Sequence, residues 1–565
     1  MRQTERAYKR SQAVHIEEMS TNNPTEFWKK INQLGPRKSK EIPMEIVDSE
    51  GNTMSDKNSV SERWRTDFKN LYNRDDDGDF DDAHYHTCKI YKQLLEHRIE
   101  DPLYTPNNEL NNNISIDEIR AIVMKAKTGS AYGYDRIPYD VLKFPPVIAV
   151  LHQLFQLIFD SSIIPSPWRK AIICPILKDP NSDKRLPLNY RGVSLLSCIS
   201  KLYSSFLNKR LVTYFEGNDI LADEQNGFRA NRSCEDHIFT LDSIVRNNKS
   251  VYSSFIDLKK CFDFIDRDML LYKLLLNNVD GKIYNSIKNI YASTSASVRI
   301  NGTLTDWFDC ATGVKQGCTL SPTLFSIFAN DLVHEINDLD LGIVVGDKKV
   351  SILMFADDIV LVTDSEDSLQ TLLNTLHEWC RRWRVLINTK KSKCIHFRGD
   401  RAKRSERVFK IGDNILETVD QYKYLGVIFH EKNNFSINCE TLSKAAGRAL
   451  GGIINKIHSF KTFSFGAFEK LYNSCVVPIL DYGASVWGFK TYQSADNVDL
   501  RALRYFLGVH RFAPNLLALY GDAGWTPSVY RRWLCILRYW NRLVLMDNNR
   551  LTKHAFNNDY TTSVV

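Results

Sequence analysis

The chain has 565 residues, of which 43% are hydrophobic and 25% charged, with a formal net charge of +7. That length exceeds what one core accommodates and points to roughly two to four compact units, while the composition argues against a disordered or membrane-embedded chain. The polar start MRQTERAYKRSQ does not read as a secretory signal, and twelve cysteines scattered without a CxxC or zinc-finger spacing read as reduced thiols of an intracellular protein.

In chain order, 26–34 (EFWKKINQL) carries a helical apolar stripe, and 42–53 suggests a short hairpin turning at Ser49-Glu50-Gly51-Asn52. The acidic stretch 75–82 resembles a calcium loop, but with Gly78 at the sixth position the twelfth is His84, where a bidentate Glu is required. It reads instead as a solvated acidic loop and a unit boundary. The apolar run 145–165 contains His152, Gln153, Gln156 and Asp160, which fits an amphipathic helix better than a membrane span. Helical and extended segments alternate over 114–209, and 250–429 is mixed α/β. Within it, 297–300 and 303–308 flank Asn301-Gly302, a strong hairpin signal. A second hairpin is expected around Gly412-Asp413-Asn414, and 368–383 reads as an amphipathic helix. After about residue 440 the pattern is helical to the end.

Two apolar strands end in acids. The stretch 351–363 (SILMFADDIVLVT) has strand character on both sides of Ala356-Asp357-Asp358, and 251–257 (VYSSFID) ends in Asp257. Adjacent acids in a regular strand point to opposite faces, whereas at a tight turn both can approach one site. Carboxylates at apolar strand ends destabilise the fold unless a cation neutralises them. Three hard oxygen donors suit a pair of Mg²⁺ ions, about 3.5–4 Å apart, of the kind that drives in-line phosphoryl displacement.

The order VYSSFIDLKKCFDFIDRDML, GVKQGCTLSPTLFSIFANDL, ILMFADDIVLV, INTKKSKCIHF and YKYLGVIF resembles the successive palm motifs of reverse transcriptases. Upstream, WRKAIICPILKDPNS, NYRGVSLLSCISKLYSS and EQNGFRANRSCEDHIF are similar to the fingers of jockey-like, non-LTR (LINE-type) retrotransposons. The resemblance runs from about 115 to 429 and implies an α+β right-hand polymerase that copies RNA into DNA. It implies an N-terminal extension (1–105), fingers (106–250), a palm with a ferredoxin-like antiparallel sheet (251–435) and a helical thumb with a C-terminal nucleic-acid-binding region (436–565).

Carried over residue by residue, the resemblance makes Asp257, Asp357 and Asp358 catalytic acids, with the Leu258 carbonyl beside them on two Mg²⁺ ions (Mn²⁺ being the alternative). Phe262 falls where the family places a ring that rejects the ribose 2′-hydroxyl. Lys178 and Arg191 match residues that hold the triphosphate, as Arg suits bidentate phosphate contact. Gln316 and Gly317 fit the loop beside the templating base. Lys391 matches the proton donor to pyrophosphate, with Lys390 and Lys393 as neighbours that leave the choice open. Tyr424, Leu425 and Gly426 fall at the primer grip. The implied partners are an RNA template, a DNA primer and dNTPs, with no membrane; the implied workplace is the nucleus, and oligomeric state is left open.

The match has departures. In 130–138 (SAYGYDRIP), Tyr132 and Tyr134 stand where the family has proline and Arg136 where it has glycine; Gly192 replaces the proline of R-P-I-S, which is expected to loosen that strand slightly. No endonuclease, RNase H acid set or zinc knuckle is recognisable, so a target nick would come from elsewhere. Between 501 and 553 nine Lys or Arg face two acids among many aromatics, which fits either a nucleic-acid surface or a helical packing unit with a solvated basic face; the resemblance implies the former, along the primer–template duplex. An RNA-dependent RNA polymerase is disfavoured by Phe355-Ala356 and Phe262, and a maturase or telomerase-like enzyme by the fingers motifs. A truncated, inactive nucleic-acid binder is the alternative from another class.

Overall fold

The strand Ser250–Asp257 is buried along most of its length, which puts it at the centre of a sheet covered on both faces. The computed structural model describes residues 2–34, 41–47, 51–73, 78–458, 463–510, 512 and 516–564. In it, six strands lie in the spatial order Ile352–Phe355, Asp358–Thr363, Ser250–Asp257, Lys393–Arg398, Asn414–Thr418 and Phe409–Ile411. The first four are antiparallel, and their chain order and the helix Glu366–Arg382 make the unit ferredoxin-like. At the far edge the expected antiparallel pattern gives way. Lys393–Arg398 runs parallel to Asn414–Thr418, because the 409–418 hairpin docks through its second strand.

Strand alternation divides the apolar side chains between two cores. Ile256, Ile352, Met354, Ile359 and Leu361 enter one; Phe255, Leu353, Val360, Val362, Ile395 and Phe397 enter the other. The first core is roofed by the helices Arg267–Leu276, Gly281–Tyr291, Ser321–Phe328 and Glu366–Arg382. The second takes Cys234–Asn247, Ser436–Ile457 and Phe465–Cys475.

A second sheet holds Tyr190–Leu195, Lys170–Leu177, Thr294–Ile300 and Thr303–Leu304, with Phe308–Cys310 also against Thr294–Ile300. Lys170–Leu177 lies parallel to Thr294–Ile300, so segments before and after the central strand share this sheet. The Asn301-Gly302 turn forms as expected, with φ of 46° and 93° at its two residues. Asn301 does more than turn: its side chain bonds both backbone groups of Ile42, at 2.9 and 2.8 Å.

The N-terminal 105 residues divide between the two cores. Helix Lys57–Tyr72 packs Trp64 and Phe68 into the first core, while Phe27 and Ile31 of helix Pro24–Gln33 enter the second. Ile46–Val47 pairs with Thr53–Met54, but Ser49 and Glu50 of the expected turn lie outside the described residues. Of the acidic stretch, 75–77 also lies outside them; the rest is not simply a solvated loop. Asp81 caps helix Asp82–Ile99 by accepting from the His84 N–H at 2.9 Å, and Asp79 and Asp82 pair with Arg381 and Arg384 at 3.1 and 2.9 Å.

From Ser436 onward the described residues are helical, as expected. Much of the basic charge of this region, however, turns inward. Arg531 pairs with Asp481 at 2.7 Å and Asp499 at 3.1 Å, and Arg542 pairs with Asp236 at 2.9 Å. Arg550 reaches Asp223 at 3.1 Å, Arg532 is buried beside Trp487 and Tyr492, and Lys553 donates to the Leu543 carbonyl at 2.9 Å. The carboxylates that take up this charge lie outside 501–553, which is why a local count misses them. The last helix, Leu551–Val564, returns to Cys234–Asn247, where the Ser243 hydroxyl and Arg246 donate to Asp559 at 2.6 and 2.8 Å. No helix among the described residues is long and apolar enough to cross a membrane.

Candidate active site

The turn between Ile352–Phe355 and Asp358–Thr363 has two residues, Ala356 and Asp357, closed by the pair Phe355–Asp358. Ala356 has φ of 58°, a position where such turns favour glycine. It is held there from outside the hairpin. The Ala356 N–H donates to the Gln225 side chain at 2.9 Å, Met354 donates to the Glu224 carbonyl at 2.8 Å, and Asn226 donates to the Met354 carbonyl at 2.9 Å. Gly227 permits this approach, since a Cβ there would stand 2.3 Å from the Ala356 nitrogen.

Asp358 is not at the turn tip but begins the next strand, directly opposite Asp257 in the antiparallel register. Residues so paired point to one face of a sheet. Partial burial, then the neighbouring Asp357 and Asp257 carboxylates, push the Asp358 carboxyl up to about 6, with Lys391 opposing. Asp257 is fixed by its surroundings. Its N–H donates to the Ser392 hydroxyl at 3.1 Å, its carbonyl accepts from the Asn388 N–H at 2.8 Å, and one carboxylate oxygen accepts from the Asn388 side chain at 2.8 Å. Lys391 lies 3.9 Å from the same oxygen with its side chain 70% exposed, whereas Lys393 is engaged with Glu417 at 2.7 Å.

A cavity of about 890 Å³ opens beside these acids. It brings together Asp257, Leu258, Phe262, Asp357 and Lys391 with Lys178, Arg191, Gln316 and Gly317. Lys259, Lys260 and Lys315 also line it, so six cations meet three acids, Asp257, Asp263 and Asp357. Such a balance suits a polyanionic ligand near carboxylates. Burial, then Lys260, hold the Lys178 amine below its usual range, while the amine donates to the Leu188 carbonyl at 2.8 Å.

The loop carrying Gln316 is laid on the strand Tyr190–Leu195. Ser194 donates to the Gln316 carbonyl at 2.8 Å, and Gly317, with φ of 111°, approaches so closely that a Cβ would stand 2.8 Å from the Ser194 carbonyl oxygen. The Gln316 amide donates to Asp263 at 2.8 Å, and burial raises the Asp263 carboxyl to about 6. Phe262 stacks on Phe325 with centroids 5.1 Å apart.

Tyr424, Leu425 and Gly426 do not join this cavity. They turn the hairpin Gln421–Tyr424 to Val427–His430, with φ of 44° at Leu425 and 87° at Gly426. Tyr424 is buried against Phe255, 5.6 Å between centroids, and Tyr482 donates to the Leu425 carbonyl at 3.0 Å. Sequence reasoning passed over Gln225, Gly227, Asn388 and Asp263, all within quoted motifs. Their signal was polar residues or glycine beside strand ends.

Residues 177–429 match the family model described as reverse transcriptase (RNA-dependent DNA polymerase). The chain carries a reverse transcriptase domain. Its sequence is 25% identical over 439 residues to the probable RNA-directed DNA polymerase from transposon BS of Drosophila melanogaster, covering 74% of this chain and 47% of that one. It is also 25% identical over 519 residues to the RNA-directed DNA polymerase from mobile element jockey of Drosophila funebris, covering 86% of this chain and 55% of the relative. The chain spans about half the length of the curated relatives it matches. Among solved structures, apo telomerase from Candida Tropicalis overlaps 83% of this chain and 87% of its own with a TM-score of 0.35 at 12% identity, too low to argue from.

Reverse transcriptase domains depend in general on divalent metal. Among the described residues no group of three or more His, Cys, Asp or Glu side chains is arranged to hold a metal ion, so Asp257, Asp357 and Asp358 do not meet as a three-carboxylate site. Asp257 and Asp357 nonetheless line the cavity, and the Asp358 carboxyl, raised first by burial and then by its two acidic neighbours, would be eased by a bound cation. Polymerase cations of this type rest on one or two carboxylates and take other ligands from substrate phosphate and water. The residues fit that mode.

Proposed function

We propose that this chain is the RNA-directed DNA polymerase of a jockey-like, non-LTR retrotransposon, extending a DNA primer with dNTPs on an RNA template. The observation that supports it most is the cavity in which Asp257 and Asp357 meet Phe262, Lys178, Arg191, Gln316, Gly317 and Lys391. The fingers are taken as 106–250, the palm as 251–435 and the thumb as 436–565.

In this reading Lys178 and Arg191 bind the triphosphate, and the Gln316–Gly317 loop supports the templating base. The primer 3′-oxygen attacks the α-phosphorus as the bond to the bridging oxygen breaks and pyrophosphate leaves. Asp257, Asp357 and the Leu258 carbonyl, with Asp358 adjoining, would hold two Mg²⁺ ions, which would supply Lewis-acid chemistry at the reacting phosphate. Asn388 keeps Asp257 oriented, and Lys391 gives its proton to the departing pyrophosphate. Phe262 leaves no room for a 2′-hydroxyl.

Duplex contact is assigned to the thumb, where of the cations the sequence suggested Arg501 is joined by two from an earlier helix. Lys444, Arg448 and Arg501 line a cavity of about 750 Å³ between the helices Ser436–Ile457 and Gln493–Leu507, together with Glu440. Contacts of this kind are to phosphate and largely independent of sequence. A nuclear workplace rests on the resemblance alone.

The test is primer extension on poly(rA)/oligo(dT). Asp357→Asn is expected to abolish extension and leave RNA binding within about threefold, since binding rests on Lys and Arg. Normal extension by this variant would sink the metal assignment.

A further inference from the structure

Phe228 is a bulky residue in an unfavourable place. Its φ is 63°, in the left-handed region that non-glycine side chains avoid, and its ring is 56% exposed in the wall of the cavity. Backbone strain of this kind persists only where neighbours over-determine it. Here they do. The preceding residues are bonded to the Asp357 hairpin through Gln225 and Asn226, and Gly227 lies against Ala356. One residue on, Arg229 is bonded to Glu216 and to the carbonyls of Ala222 and Gln225. The loop therefore has little freedom to withdraw the ring.

The Phe228 ring meets that of Phe262, with centroids 6.0 Å apart and planes at 87°. Phe262 is stacked on Phe325 and touches Phe228 as well, so its ring is braced by two others. Edge-to-face pairs at this separation are mutually attractive and orientation-dependent.

We infer that Phe228 is a positioning residue for the sugar-discriminating ring, holding Phe262 where it excludes a ribose 2′-hydroxyl. The inference deepens the polymerase reading and rests on it. Selection of deoxynucleotides is then set partly by the loop 224–229, whose anchor is the same hairpin that carries Asp357. Loss of the Phe228 ring frees Phe262 to tilt and lets ribonucleotides in, without touching any group that binds phosphate or metal.

The test is single-nucleotide incorporation of dGTP and GTP by the purified full chain on an RNA template with a DNA primer. Phe228→Ala is expected to lower the dGTP-to-GTP ratio of kcat/KM about two- to tenfold, the range of one aromatic pair. Phe228→Leu, which keeps apolar bulk in case the alanine variant fails to fold, is expected to shift the ratio in the same direction. Phe228→Tyr restores the ring and should restore the ratio. In a Phe262→Val background, Phe228→Ala should add nothing, because the ring it braces is gone. An unchanged ratio in both Phe228→Ala and Phe228→Leu, or a full additional effect in the Phe262→Val background, would overturn the assignment while an active wild type leaves the polymerase reading standing. A wild type that extends no primer removes that reading, and this inference with it.

Discussion

Asp257 and Asp358 face each other across adjacent antiparallel strands, a like-charged pair at the open ends of two otherwise buried strands. Such pairs are unfavourable by roughly 0.2–1 kcal/mol where attraction would otherwise be gained. The site therefore stores repulsion that only a cation, or a proton, relieves.

Asp358→Asn is accordingly expected to stabilise the metal-free protein by up to about 1 kcal/mol at pH 7 while lowering primer extension. The gain should shrink when Mg²⁺ is added, because the wild type is relieved by the ion. Melting curves with and without Mg²⁺ check this; equal melting temperatures for variant and wild type in chelator would show that the carboxylates do not repel.

Gly192 sits under the ring of Phe68, where an added Cβ would stand 2.7 Å from the ring and 3.0 Å from Ile173. The strand, expected to be slightly loosened by loss of a proline, carries the helix Lys57–Tyr72 against it at this point. Gly192→Ala is expected to cost about 1–3 kcal/mol through overpacking. Denaturant unfolding of Gly192→Ala in a Phe68→Leu background should show a smaller loss, and an equal loss in both backgrounds would refute the contact.

Arg136 holds the position where the family has glycine, and its φ is 58°. A left-handed L-residue costs roughly 1–2 kcal/mol, partly offset by the greater freedom of glycine in the unfolded chain. Arg136→Gly is expected to raise the urea midpoint by the equivalent of a few tenths to about 1 kcal/mol. A lower midpoint would mean that the arginine side chain contributes more than its backbone loses.

His237 is buried, and burial drives its imidazole down to about 3, with Asp223 opposing and Arg232 adding to the fall. The folded state keeps it neutral while the unfolded chain protonates near its ordinary 6.5, so its contribution is present above about pH 6.5 and is lost as pH falls toward 3. Between pH 6.5 and 5.0 the wild type should lose about 1–2 kcal/mol more than His237→Phe. Identical pH slopes in urea titrations would exclude His237 as the source.

Much of this fold was legible because its signals are local. The Asn301-Gly302 and 412–414 turns, the helix Glu366–Arg382 and the acid-ended strand Ser250–Asp257 each announce themselves within a few residues. The supports of the candidate site were not, since Gln225 bonds Ala356 and Asn388 bonds Asp257 across 131 residues of chain in each case. Only the tertiary fold brings them together. The same distance problem hid the acids that neutralise Arg531, Arg542 and Arg550. A DD pair does not say where the hairpin bends, so Asp358, expected at the turn, begins the next strand instead.

The return of the final helix to Cys234–Asn247 has a mechanical meaning. A polypeptide arm attached at one end swings like a lever, whereas one fastened at both ends flexes like the bail of a bucket. With Gln421–His430 at its root and Leu551–Val564 tied down at its tip, the intervening helical span belongs to the second kind. Any opening of this span must then bow its middle, or first unfasten Asp559 from Ser243 and Arg246.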